Sequence, residues 1–94
     1  MNRNDKKLPP LYYAIILHFL DGNVDSAQGV VEALKPDYGV CKLLTVGDVE
    51  EALATAKENG LLEEADYQID EGGDLIIGYQ ITEFGGDMIR RYLN

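Results

Sequence analysis

The sequence predicts an α+β domain in which three helices are followed by a β-hairpin and a closing helix. Three observations lead there. A continuous apolar run and two stretches of apolar residues at helical spacing precede Gly60. Two runs with a period of two then flank the turn Glu71-Gly72-Gly73-Asp74, and a last stretch returns to helical spacing. A chain of 94 residues, 46% of them apolar, suits one core and leaves little for a second.

Pro9 and Pro10 suit the start of the first helix, because proline in a first turn lacks only a donor that would have no partner there. From Leu11 to Leu20 every residue except His18 is apolar, and Gly22 with Asn23 stops the run. Such a helix should be buried on two sides, and a partner subunit could supply the second. Asn23-Val24-Asp25-Ser26 offers caps for the second helix, in which Ala27, Val30, Val31 and Leu34 form one face. Pro36 is expected to end it, since the residue before proline avoids helical geometry. Asp37 to Leu44 then reads as a connector. Thr45 caps the third helix, with Asp48 as a weak form of the capping box. Val46, Val49, Leu53 and Ala56 keep helical spacing and Gly60 closes a helix of about four turns.

Tyr67 and Ile69 alternate with polar residues, as Leu75, Ile77, Tyr79 and Ile81 do with Ile76, Gly78 and Gln80. The glycine pair between them supplies the positive φ that a tight hairpin needs. Thr82 caps the last helix, whose Gly85, Met88, Ile89 and Tyr92 share a face. Glu83 and Asp87 near its start and Arg90 and Arg91 near its end suit its dipole. The strings Glu71-Gly72-Gly73-Asp74 and Phe84-Gly85-Gly86-Asp87 sit in a turn and a helix start, so they are not read as a repeat. The organisation expected is a flexible polar leader, residues 1–7, and a single domain, residues 8–94.

Seventeen acidic against eight basic side chains give a formal charge of −9. A surface of that sign repels phosphate backbones and anionic lipid. The run Leu8 to Leu20 holds two prolines and a histidine and falls short of the roughly 20 residues a bilayer crossing takes. No small-residue cleavage site follows it, and Cys41 is the only cysteine. These features point to a soluble cytoplasmic protein without disulfides.

Chemistry finds little to work with. His18 has only Asp21 at helical ligand spacing, a poor metal site, and reads as a half-buried or interface histidine. Cys41, with Lys42 as its only cationic neighbour, reads as a small buried hydrophobe. Asp66, Asp70, Glu71 and Asp74 lack the ligand alternation and closing glutamate of a calcium loop. The glycine pairs lack a phosphate-loop context, and Ser26, the only serine, sits at a cap. No enzyme, cofactor or metal is expected.

The helix exit Ala56-Lys57-Glu58-Asn59-Gly60-Leu61-Leu62-Glu63 and the string Tyr79-Gln80-Ile81-Thr82-Glu83-Phe84-Gly85 after the hairpin, in this order of elements, resemble the winged helix-turn-helix family. The chain is most similar to small PadR-like bacterial transcriptional regulators from Leu8 onward. That resemblance implies a third helix, residues 45–59, that enters the major groove, a hairpin, residues 65–81, that serves as a wing, and a terminal helix that dimerises.

The residues on those surfaces depart from the pattern. DNA-reading helices present arginine, lysine, asparagine, glutamine or serine; this one presents Asp48, Glu50, Glu51, Thr55 and Glu58, with Lys57 the lone cation. The wing tip carries Asp70, Glu71 and Asp74. The leading expectation is therefore a non-catalytic module acting through protein contacts, with Asp48, Glu51, Thr55, Glu58, Asp70, Glu71 and Asp74 facing an unidentified, basic partner. The alternative is a DNA-binding regulator with helix 45–59 as reader. An acidic decoy for a DNA-binding protein is a weaker third. Tyr12, Tyr13, Phe19, Met88, Ile89, Tyr92 and Leu93 are read as core, as a homodimer interface, or as both.

Overall fold

A computed structural model of the chain describes residues 8–93, and the side chain of Leu93 lies outside what is described. The leader, residues 1–7, lies outside the described residues too. The elements are α1 (Leu11–Leu17), β1 (Asp25–Ser26), α2 (Ala27–Tyr38), α3 (Val46–Glu58), β2 (Leu62–Ile69), β3 (Leu75–Ile81) and α4 (Glu83–Leu93). The strands form one antiparallel sheet in the order β1-β3-β2.

The third helix and its caps form as the sequence predicts. The Thr45 hydroxyl accepts from the Asp48 amide at 3.1 Å and donates to the Asp48 carboxylate at 3.0 Å, so the cap is reciprocal. Gly60 takes φ +80°, the left-handed conformation that lets the chain turn from α3 into β2. Thr82 accepts from the Gly85 amide at 2.9 Å at the start of α4.

Four expectations are corrected. The first helix ends at Leu17, three residues early, because the Phe19 and Leu20 amides bond to the carbonyls three residues back. That tightened turn swings Phe19 fully inside. Pro36 does not end the second helix, which continues to Tyr38. Only one internal donor is lost there, and the last turn is anchored by the Tyr38 hydroxyl donating to the Pro9 carbonyl and by the Cys41 amide on the Tyr38 carbonyl. The connector is correspondingly shorter. Asp25 and Ser26, read as caps alone, also form β1 against Tyr79 and Gly78, while Ser26 still caps α2 by accepting from the Gly29 amide. Finally, β2 begins at Leu62.

An irregularity at Ala65 explains that last difference. Glu64 pairs with Tyr79 and Asp66 with Gly78, so one extra residue is inserted in β2. The bulge shifts the alternation: Leu62 and Glu64 below it share a face with Tyr67 and Ile69 above it, opposite Ile81, Tyr79, Ile77 and Leu75. At the base this face closes the core with Leu62 and Tyr79, whereas towards the tip Tyr67, Ile69 and Leu75 stay exposed. The hairpin therefore projects as a wing, its apolar face only partly covered.

The core joins Ile15, Ile16 and Phe19 of the first helical segment to Val30 and Val31 of α2, Val49, Leu53 and Ala56 of α3, Leu62, Tyr79 and Ile89. Part of the second side of α1 is covered by α4 of the same chain. Tyr13 meets Tyr92 at a tilt of 52° with ring centroids 4.6 Å apart and donates to the Ile89 carbonyl at 3.4 Å.

Candidate interaction surface on the third helix and wing

Because Val49, Leu53 and Ala56 point inward, the geometry of a helix fixes where its other side chains go. Gly47, Glu51, Ala54 and Glu58 form the outermost ridge. Glu50 and Lys57 flank it towards the wing, and Asp48 and Thr55 flank it towards α1.

Between α3 and the wing lies a cleft of about 490 Å³. Its walls are Ala27 and Gln28 of α2, Val46 and Glu50 of α3, and Asp70, Asp74, Leu75, Ile77 and Tyr79 of the hairpin, with no lysine or arginine. At the tip Gly73 takes φ +87°, and one Asp70 carboxylate oxygen accepts from the Gly72 and Asp74 amides, both at 2.9 Å. The turn thus fixes Asp70 through one oxygen and leaves the other without a partner among the described residues.

The residues expected to form one acidic surface divide between two. Asp70 and Asp74 line the cleft, but Asp48, Glu51 and Thr55 line a separate, largely apolar groove of about 340 Å³ against Leu11, Tyr12 and Ile15. Glu58 and Glu71 are exposed and belong to neither. Glu50 is the α3 carboxylate that faces the wing. Choosing it over Glu51 requires knowing on which side of α3 the hairpin folds, which no local spacing encodes.

The single cation of α3 is paired within the chain. Lys57 Nζ donates to Glu64 Oε2 at 2.8 Å, and the Tyr67 hydroxyl donates to Glu64 Oε1 at 2.5 Å. The Lys57 hydrogen bond, then that from Tyr67, holds the Glu64 carboxyl below its ordinary range, and Glu64 in turn raises the Lys57 ammonium. A lowered carboxyl stabilises the fold above its unfolded pKa, and this is lost as pH falls through the folded value. A raised ammonium stabilises below its unfolded pKa, and this is lost as pH rises through the folded value. The pair therefore ties wing to helix from above the carboxylate range up to the lysine range. Glu64→Gln should lower the urea midpoint near neutral pH and leave it unchanged in strong acid. The effect should be small, because Lys57 is 49% exposed. An equal loss at both pH values would refute the pairing.

Lys35 pairs with Glu32 at 3.0 Å and Arg90 with Asp87 at 3.4 Å. Lys42 lies in the connector and Arg91 on α4. The described lysines thus sit on separate elements and the two arginines together on α4, and three of these five cations lie against carboxylates.

His18 finds a partner the sequence did not suggest: its Nε2 lies 2.7 Å from Asp25 Oδ2 of β1, whereas Asp21 bonds Asn23. Cys41 is half-buried rather than buried. Among the described residues no group of three or more His, Cys, Asp or Glu side chains is placed to hold a metal, and no helix is long and apolar enough to cross a membrane.

The aromatic constellation also divides. Phe19 and Ile89 are buried in this chain's own core and Tyr13 is half-buried against it, which leaves them little surface for a partner. Tyr12, Met88 and Tyr92 are exposed, and Phe84 on α4 is 53% exposed. Phe84, Met88 and Tyr92 follow at a spacing of four, one apolar row along α4, while the adjacent Gly85 and Ile89 face inward.

Solved structures share this arrangement. A PadR-like transcription factor from Bacteroides fragilis superposes with a TM-score of 0.70 at 19% identity, over 88% of this chain and 76% of its own. The fold is a winged helix. A transcriptional regulator homologue from Pyrococcus horikoshii is similar at a TM-score of 0.66 and 20% identity, over 89% of this chain and 73% of its own. The zinc-responsive MarR family member ZitR of Lactococcus lactis reaches 0.63 at 18% identity; this chain spans 54% of its length. No model of a protein family matches the chain, and no curated protein matches it. In this winged helix α2 and α3 form the helix-turn-helix, β2 and β3 the wing, and β1 the third strand at its base.

Proposed function

We propose that the chain is a non-catalytic winged-helix module of the transcriptional-regulator type that works through a protein partner, meeting a basic surface with α3 and the wing. The observation that carries this reading is the sign of the cleft. Glu50, Asp70 and Asp74 line it without a cation, and Lys57 beside it is engaged by Glu64. Affinity for DNA comes largely from neutralised phosphates, and these walls offer none of the required charge.

A second reading, a DNA-binding regulator with α3 as reader, draws support from the comparisons, since the similar structures are of transcriptional regulators. They favour it over protein contacts, whereas the charge of the cleft favours the reverse. Fluorescence anisotropy with a mixed-sequence duplex separates the two. The leading reading expects no binding at about 50 mM salt, where phosphate contacts are strong. Binding that weakens steeply as salt rises would establish the second.

Homodimerisation is the further part of the proposal. The exposed row Phe84, Met88 and Tyr92, with Tyr12, supplies an apolar surface of the kind that subunit contacts favour. Tyr92→Glu is expected to give monomers in light scattering where the wild type is dimeric, and a wild-type monomer at high concentration would refute it.

A further inference from the structure

The sheet wall of the cleft contains a tyrosine hydroxyl that no described residue bonds. Tyr79 is only 7% exposed, and its hydroxyl has no hydrogen-bond partner among the described residues. A buried hydroxyl without a partner is costly, so such a group calls for an explanation. Burial raises the Tyr79 phenol most, Glu64 and then Glu50 raise it further against the opposing charge of Lys57, and the neutral hydroxyl can both accept and donate.

The carboxylates around it are similarly unspent. Among the described residues the Glu50 and Asp74 side chains make no hydrogen bond or ion pair, and Asp70 has one oxygen outside the turn. At the mouth of the same cleft Val46 and Leu75 are 41% and 54% exposed. An acidic wall, an unpartnered buried hydroxyl and an apolar rim thus converge on one space.

Building on the reading that α3 and the wing meet a basic protein, we propose that this cleft receives an arginine side chain from a partner's peptide segment, with an apolar neighbour of that arginine seated on Val46 and Leu75. A guanidinium presents five donors in a planar fork that matches carboxylates. Glu50 and Asp74 accept from it. The Tyr79 hydroxyl accepts one further N–H and turns its own proton towards a carboxylate, which satisfies the group the fold leaves open. A phosphate supplies no donor for these acceptors, and a bare cation makes no use of the rim.

The probe is a short fluorescein-labelled peptide alternating arginine and leucine, with one alternating glutamine and leucine as control, read by anisotropy. The wild type should bind the arginine peptide at least tenfold more tightly than the control. Tyr79→Phe, which keeps the ring and its packing, should weaken binding several-fold, and Glu50→Gln with Asp74→Asn by tenfold or more, since hydrogen bonds to charged groups are the stronger kind. Glu50 is exposed, so its variant does not threaten the fold. Unchanged affinity in these variants would overturn the assignment of this cleft while leaving a basic partner elsewhere. No preference for the arginine peptide, together with binding of duplex DNA, would overturn both this inference and the reading beneath it.

Discussion

Phe19→Ala is expected to cost about 3–5 kcal/mol, the range for removing a buried phenylalanine. Phe19 has no exposed surface and sits where α1, α2 and α3 meet, in one cluster with Ile15, Val30, Val49 and Leu53. Its position depends on the tightened turn that ends the first helix, and its ring also meets the His18 ring edge-on at 5.2 Å. A chain of this length holds in total about 5–14 kcal/mol, so the variant should lose a large share of its stability. Urea denaturation followed by far-ultraviolet circular dichroism measures the loss, and Phe19→Leu should retain most of the stability. A loss below about 1 kcal/mol would mean that the three helices do not share this anchor.

Gly85→Ala should have the next largest effect. A Cβ on Gly85 would stand 2.1 Å from the Leu61 carbonyl oxygen and 3.0 Å from its Cα, and backbone cannot step aside as a side chain can. That carbonyl is further held by the Thr82 amide at 3.0 Å and the Thr82 hydroxyl at 3.2 Å. Either α4 shifts and withdraws Ile89 from the core, or the start of β2 moves. Overpacking of this kind costs about 1–3 kcal/mol or more. Gly47→Ala is the matched control: nothing lies within 4 Å of its Cβ, in a helix where alanine gains roughly 0.5–1 kcal/mol over glycine. Urea midpoints should therefore move in opposite directions for two identical substitutions. Equal shifts would show that the close approach of α4 to Leu61 is absent in solution.

What could be read from the residues was local. Thr45, Gly60 and Thr82 announce helix ends because each acts on amides or dihedral angles within a few residues of itself. Likewise, the alternation from Leu75 to Ile81 marks one face of a strand whatever it packs on. The misses share a different cause. β1 has two residues and exists only because Tyr79 and Gly78 lie beside it. Helix α2 passes through Pro36 because Tyr38 reaches Pro9, far away in sequence. Ala65 is unremarkable in sequence, yet it decides which face Leu62 shares. For the candidate site, the excess of carboxylates was visible, but the separation of Glu50 from Glu51 and the capture of Lys57 by Glu64 depend on how the wing meets α3.

The most direct test of the account exploits sign alone. Glu50→Lys, Glu71→Lys and Asp74→Lys together reverse the α3–wing surface while sparing Asp70, whose side chain holds the turn. Duplex affinity against salt is measured for this variant and for the wild type. We expect no binding by the wild type and, in the variant, affinity falling with salt at a logarithmic slope of roughly −3, about one unit per added phosphate contact. Binding by the wild type, or silence from both proteins, would contradict the claim that charge rather than shape keeps this winged helix from DNA.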